Sequence, residues 1–175
     1  MPTLAGFYPL IAGFGEANSQ LSNREVLLRL GVASLFGALV GFNREIHFKP
    51  AGLRTQALVA LGSATITLLA SDLVLESGHP NVDAISRAIQ GVITGIGFLG
   101  AGAILRDRSG VQVHGLTTAA SVWISAALGL ACGAGLWRLA VIPLVLALGI
   151  LWLLSPVEEW IHRRNGPETD SPPEP

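Results

Sequence analysis

The sequence predicts an all-α membrane protein, a bundle of about five transmembrane helices with the N-terminus outside and the C-terminus inside the cell. Three observations carry this reading. Half of the 175 residues are apolar and only 13% are charged, against about 25% charged in an ordinary soluble protein. The charges gather between apolar runs instead of spreading through them. Glycine occurs 21 times where a soluble chain of this length would hold about 12, and transmembrane helices are richer in glycine than soluble ones.

A span needs about 20 predominantly apolar residues, and segments 26–42, 53–75, 85–105, 116–132 and 136–154 qualify. The first is short, with Arg29 near its start expected to snorkel to the nearer interface. The fifth is the most uniformly apolar and carries Trp137 and Trp152 near its ends, as interfacial anchors do. Pro143 inside it predicts a kink or a start one turn in. Spans four and five are joined by little more than Gly133-Ala134-Gly135, which forces an antiparallel hairpin. Three regions follow: 1–24 as an extracytoplasmic segment that does not read as a cleaved signal peptide, 25–154 as the transmembrane domain, and 155–175 as a short cytoplasmic tail. The tail predicts a short surface helix and then disorder, from its run of Pro, Glu and Ser.

Orientation rests on Lys and Arg, which accumulate in cytoplasmic loops. Arg44, Lys49, Arg54, Arg106, Arg108, Arg163 and Arg164 fall on one side, and Arg24, Arg87 and Arg138 on the other. The net charge of −1 gives no sign of a nucleic-acid partner. Cys132, the single cysteine, excludes an internal disulfide and a multi-thiolate metal site; it reads as a small packing residue.

Helices in lipid are held together by close backbone approach at small residues. Ala33, Gly37 and Gly41 form such a ridge on span one, Gly91 and Gly95 on span three, and Ser121, Ser125, Gly129 and Gly133 on span four. Span five has none and is expected to be the most lipid-exposed. The run from Gly95 through Gly97, Gly100 and Gly102 to Asp107 is the densest in glycine. It predicts either tight helix packing or a helix opened between Gly95 and Gly102 to line a polar cavity; the matching ridges on spans one and four favour packing.

Polar residues carried into a span usually face the bundle interior or a wet cavity. A cytoplasmic cluster of Asn43, Arg44, Glu45, Arg54, Thr55 and Gln56, joined by Arg106, Asp107 and His114, is the first candidate site. Its plainer reading is a basic loop touching lipid phosphates. A second is the intramembrane stripe Ser86, Gln90 and Thr94, spaced by four on one face with Arg87 beside it, which serves either interhelical hydrogen bonding or a solute path. The segment around Val111-Gln112-Val113 predicts a tight turn or small hairpin, and Thr117 suits the N-cap of span four. Asp72, Glu76, His79 and Asp83 in the outer loop offer hard oxygen ligands for Mg²⁺ or Ca²⁺, but solvated acidic residues explain them as well. No paired nucleophile and base, HExxH, Walker loop or dinucleotide fingerprint occurs. Thr118 or Ser121 with His114 are weak nucleophile candidates only, and the chain is not expected to be an enzyme or to hold a resident cofactor.

Two blocks, Pro50-Ala51-Gly52-Leu53-Arg54-Thr55-Gln56-Ala57-Leu58-Val59-Ala60-Leu61-Gly62 and Gly95 through Asp107 on to Gly115-Leu116-Thr117-Thr118-Ala119-Ala120-Ser121, closely resemble the MgtC/SapB family of bacterial inner-membrane proteins. The similarity extends over about residues 26–152. It implies a small polytopic protein of the bacterial plasma membrane, linked to growth in low magnesium and to survival of intracellular pathogens. It also implies regulation of an F-type ATP synthase, or control of magnesium or phosphate balance, through membrane partners. Many members have glutamate where Asn43 stands and arginine where His114 stands. The best-known members add a soluble cytoplasmic domain after the last span, whose function does not transfer. The leading expectation is a regulator or adaptor in contact with lipid and a membrane-protein partner. The alternative is a small oligomeric transporter or channel for Mg²⁺ or another solute, its conduit running beside Gln90, Thr94 and Gly95.

Overall fold

A computed structural model describes residues 21–76, 82–106 and 113–164. Its helices are α1 (Asn23–Ile46), α2 (Leu53–Glu76), α3 (Val82–Ala103), α4 (Leu116–Gly133) and α5 (Trp137–Arg164). Between α3 and α4, β1 (Leu105–Arg106) pairs antiparallel with β2 (Val113–His114), Leu105 opposite His114 and Arg106 opposite Val113. The expected small hairpin is therefore present, with its turn outside the described residues. Each of α1 to α4 is long and apolar enough to cross a membrane, and α5 holds a shorter apolar stretch, Trp137–Leu153. The chain is a multi-pass membrane bundle.

Helices α1, α2 and α4 pack against one another, and both α1 and α4 approach α2 closely. On α1, a Cβ at Gly37 would stand 2.8 Å from the Ala60 Cβ, and one at Gly41 2.6 Å from the Leu53 Cα. On α4, a Cβ at Gly129 would stand 2.9 Å from the Ala60 Cα, and one at Gly133 2.6 Å from the Ala64 carbonyl oxygen. These separations are shorter than real Cβ contacts, so α2 meets bare backbone of both α1 and α4. Ala33, Ala64, Cys132 and Ala140 complete a core of small side chains. In lipid no hydrophobic force draws helices together, and the summed dispersion of close contacts, about 0.1–0.2 kcal/mol per atom pair, is what small residues gain.

The connections are set by local chemistry. At the end of α4, Gly135 takes a left-handed φ of +72°. The Leu136 amide donates to the Ala131 carbonyl at 2.9 Å and the Gly135 amide to the Cys132 carbonyl at 2.9 Å, the two bonds of a Schellman motif. Arg29 reaches toward the end of the bundle where α1 begins and α4 ends. Its guanidinium donates to the Gly133 carbonyl at 2.9 Å and pairs with Glu25, because the last carbonyls of α4 carry partial negative charge and lack helical donors. At the start of α4 the N-cap is Gly115, not Thr117, with φ +92° and no side-chain cap bond. A Cβ at Gly115 would lie 3.0 Å from the Ala103 carbonyl carbon, so the end of α3 presses directly on this turn.

Three expectations are corrected. The glycine-rich run neither opens nor packs within the chain: α3 is helical through Gly102, and a Cβ at Gly91, Gly95, Gly97 or Gly102 would meet nothing within 4 Å. Only Gly100 has a neighbour, the Ala119 Cβ at 3.7 Å, an ordinary contact. The reason is that Val92 and Ile96 occupy the inward face of α3, packed with Val122 and Ala126 of α4, which turns the glycines aside. Second, of the two outcomes expected at Pro143, a start one turn in does not occur: α5 begins at Trp137, since the Schellman turn fixes its start. Third, α5 continues through Ser155 and Pro156 to Arg164, so no separate surface helix follows residue 154; neighbouring groups let transmembrane helices absorb proline. Residues 165–175 of the expected tail lie outside the described residues. Leu139, Val145, Leu146 and Leu153 of α5 are exposed, and α3 is sparsely covered as well, with 11% of its apolar 18-residue stretch buried against 50% for that of α4.

Gly129→Ala should lower stability by about 1–3 kcal/mol through overpacking against Ala60, read as thermal unfolding of detergent-solubilised protein. Gly62→Ala, in open space on α2, should raise it by up to about 1 kcal/mol through helix propensity. Equal effects of the two would contradict the backbone grip.

Candidate functional site

The packing face of α1 dictates which polar residues go inside. Ala33, Gly37, Val40 and Gly41 repeat at intervals of three and four, and the next step along that face is Arg44. Arg44 is accordingly only 5% exposed, and Asn43 beside it 4%. Gln56 holds the corresponding place on α2, one turn before Ala60, and is fully buried. On α4 the matching face carries Thr118, Ser121 and Ser125, all buried.

Arg44, Thr118, Ser121 and Gln56 form one hydrogen-bonded chain across three helices. The Arg44 Nη2 donates to the Thr118 Oγ1. The Ser121 hydroxyl donates to the Thr118 carbonyl at 2.8 Å and accepts from the Gln56 Nε2 at 2.8 Å. That same Nε2 donates to the Ala51 carbonyl at 3.2 Å. Both neighbours of the Gln56 nitrogen are acceptors, which fixes the orientation of its amide. The network ties the α1–α2 connection to the first turns of α4.

It is also incomplete. The Arg44 Nε, Asn43 Nδ2, Gln56 Oε1 and Ser125 Oγ have no hydrogen-bond partner among the described residues, and Arg44 has no carboxylate within ion-pair distance among them. A buried guanidinium without a counter-charge is costly, as is each unmade hydrogen bond, at about 1–3 kcal/mol. Such groups are retained where they act.

Around this interior lies an exposed rim. Glu45, Arg54 and Thr55 are exposed, as are His47, Phe48 and Lys49. The Glu45 carboxylate accepts from the Leu53 amide at 3.2 Å, satisfying an orphan donor at the start of α2, and the missing side chain of Gly52 leaves room for it. The His47 Nδ1 is hydrogen-bonded to the Asn43 carbonyl at 2.7 Å. Phe48, 96% exposed, and Ala51 adopt left-handed φ values of 51° and 56°, uncommon for side chains with a Cβ. The structure thus divides the predicted cluster: Asn43, Arg44 and Gln56 go inside, while Glu45, Arg54 and Thr55 stay on the surface. Arg106 and His114 lie on the adjoining strands, with their side chains, and Asp107 altogether, outside what is described. Sequence reasoning missed Thr118 as the acceptor for Arg44. Its signal is the spacing Thr118, Ser121, Ser125, one face of a helix.

The second predicted site is not assembled in the interior. Ser86, Arg87, Gln90 and Thr94 are all exposed, pointing away from Val92 and Ile96. The Thr94 hydroxyl donates to the Gln90 carbonyl of its own helix at 2.8 Å. Of the weak metal candidates, Asp72 is half-buried near the far end of α2 and Asp83 is exposed, while the Glu76 side chain and His79 lie outside the described residues. Among the described residues no three His, Cys, Asp or Glu side chains gather.

A family model described as the MgtC family matches residues 30–160. The protein SrpB of Synechococcus elongatus is 48% identical over 120 residues, covering 65% of this chain and 66% of that protein. The protein MgtC of Brucella abortus is 43% identical over 128 residues, 73% of this chain and 50% of its own length. The protein SapB of Bacillus subtilis is 37% identical over 151 residues, 82% of this chain and 61% of its own. The chain thus spans between half and two thirds of the length of these relatives. No solved structure matches.

Gln56→Leu and Ser121→Ala should each destabilise the detergent-solubilised protein, and the double variant should be less destabilised than their sum by about 1 kcal/mol, the worth of one hydrogen bond. Strict additivity in that cycle would remove the Gln56–Ser121 link.

Proposed function

The chain belongs to the MgtC family, and on that footing we propose that it is a non-enzymatic regulator or adaptor of a membrane partner in magnesium limitation or stress. Its place is the bacterial inner membrane, and the F-type ATP synthase is the partner the family resemblance implies. The observation that carries the reading is the union of the buried network with the exposed rim at one end of the bundle. Arg44, Thr118, Ser121 and Gln56 lock the α1–α2 connection onto α4, and that connection holds up Glu45, His47, Phe48, Lys49 and Arg54 as a fixed charged and aromatic surface. By the distribution of Lys and Arg this end is cytoplasmic.

Two further observations support an adaptor over the rival transporter. The interior between α1, α2 and α4 is filled by backbone contacts, and Gln90 and Thr94 face outward, so they line no conduit within one chain. Thr118 and Ser121, the weak nucleophile candidates, are 1% and 3% exposed and engaged with Arg44 and Gln56, a positioning role. Mg²⁺ enters this reading as the limiting nutrient or an effector.

Purified protein in liposomes should give no Mg²⁺ or proton flux above empty vesicles. In inverted membrane vesicles its presence should lower ATP-driven proton pumping, and Arg44→Met and Lys49→Glu should abolish that effect while the protein remains folded. Flux lost on Gln90→Leu would replace the adaptor by a transporter.

A further inference from the structure

The outward face of α3 carries, beside the apolar Ile93, Phe98 and Leu99, a line of residues whose chemistry is wrong for lipid. Asp83, Arg87, Gln90, Thr94, Gly97 and Ala101 are all exposed, and their spacing alternates four and three without a break. That is the 3.5-residue repeat of a helix–helix seam, here running from charged to polar to small. Gln90 and Thr94 stand about 12 and 18 Å along the axis from Val82, well within a hydrocarbon core about 30 Å thick. Among the described residues the Gln90 amide has no hydrogen-bond partner, and neither Asp83 nor Arg87 has an ion-pair partner.

We propose that this seam is the interface between two copies of the chain, with α3 packed in parallel against α3 of the second copy about a two-fold axis along the membrane normal. The occupant follows from self-complementarity. Every copy enters the bilayer in the same orientation, so a two-fold pair brings each seam residue against its own counterpart. A glutamine amide both donates and accepts, so Gln90 meets Gln90 of the second copy with matched groups. Side chains on a helix lean toward its N-terminus, which aims Arg87 of each copy at Asp83 of the other, one layer up. Gly97 and Ala101 then let the two backbones close at the other end, as small residues do between membrane helices. Gly91, Gly95 and Gly102 flank the seam with open space. The closed two-fold needs no further surface and leaves the Arg44 network and its rim free.

The test is a cysteine scan in the full chain with Cys132→Ala, oxidised in native membranes and read as disulfide-linked dimer on non-reducing gels. Seam backbones come close enough for a disulfide. Thr94→Cys, Gly97→Cys and Ala101→Cys should form dimer, whereas Gly95→Cys and Leu99→Cys, off the seam but exposed, should not. Dimer at Ala101→Cys should be lost on adding Arg87→Asp and regained on adding both Arg87→Asp and Asp83→Arg. Cross-linking equal at all five positions, its absence from the seam because lipid or another segment of this chain covers α3, or capture of a different protein there would each overturn the proposal.

Discussion

The contact on which this molecule depends is the approach of α1 and α4 to α2 at Ala60. A membrane bundle cannot rely on water to drive its helices together, so cohesion must come from short distances summed over many atom pairs. Gly37 and Gly129 bring two backbones against the same residue. Once that is fixed, little rotation remains to any of the three helices, and the face each shows its neighbours is decided along its whole length.

The burial of charge is a consequence. Arg44 lies on the continuation of the glycine ridge of α1, so the helix cannot keep Gly37 and Gly41 on Ala60 and Leu53 and also present Arg44 to solvent. Thr118 and Gln56 lie on the same terms at the ends of α4 and α2. What these side chains do with one another is recovery: hydroxyls and an amide supply some of the bonds that a buried guanidinium and amide require, but not all. Apolar residues would pack these positions at less cost. Keeping Arg44, Asn43 and Gln56 there is therefore evidence of use, and the unmade bonds of Arg44 and Asn43 leave two donors at the end where the exposed rim begins.

Much of this was legible beforehand, and the divide has a physical cause. The helices come from hydropathy alone, since the bilayer demands continuous apolar length. The α1 and α4 ridges were readable because small residues at four-residue spacing carry one meaning when their neighbours are large and apolar. The same rule failed on α3, where Gly91 and Gly95 satisfy it equally well but Val92 and Ile96 bind α4. Spacing identifies a face able to pack; it does not say whether the neighbour belongs to the same chain. Asn43, Arg44 and Gln56 could be gathered by proximity in sequence, yet their separation from Glu45, Arg54 and Thr55 depended on the rotation of α1 and α2. Thr118, on a helix 74 residues from Arg44, reaches the site only through the fold.

The bundle consequently has two mechanical parts. Helices α1, α2 and α4 share backbone contacts and a hydrogen-bonded network, so their relative positions resist change. Helix α3 is attached through Val92 and Ile96 and by the pressure of its last turn on Gly115. Gly115 begins α4, three residues before Thr118, and Thr118 holds Arg44. The last turn of α3 thus touches α4 three residues from the polar network. The residue at that meeting point is a glycine whose φ of +92° and contact with Ala103 leave it no room for a side chain.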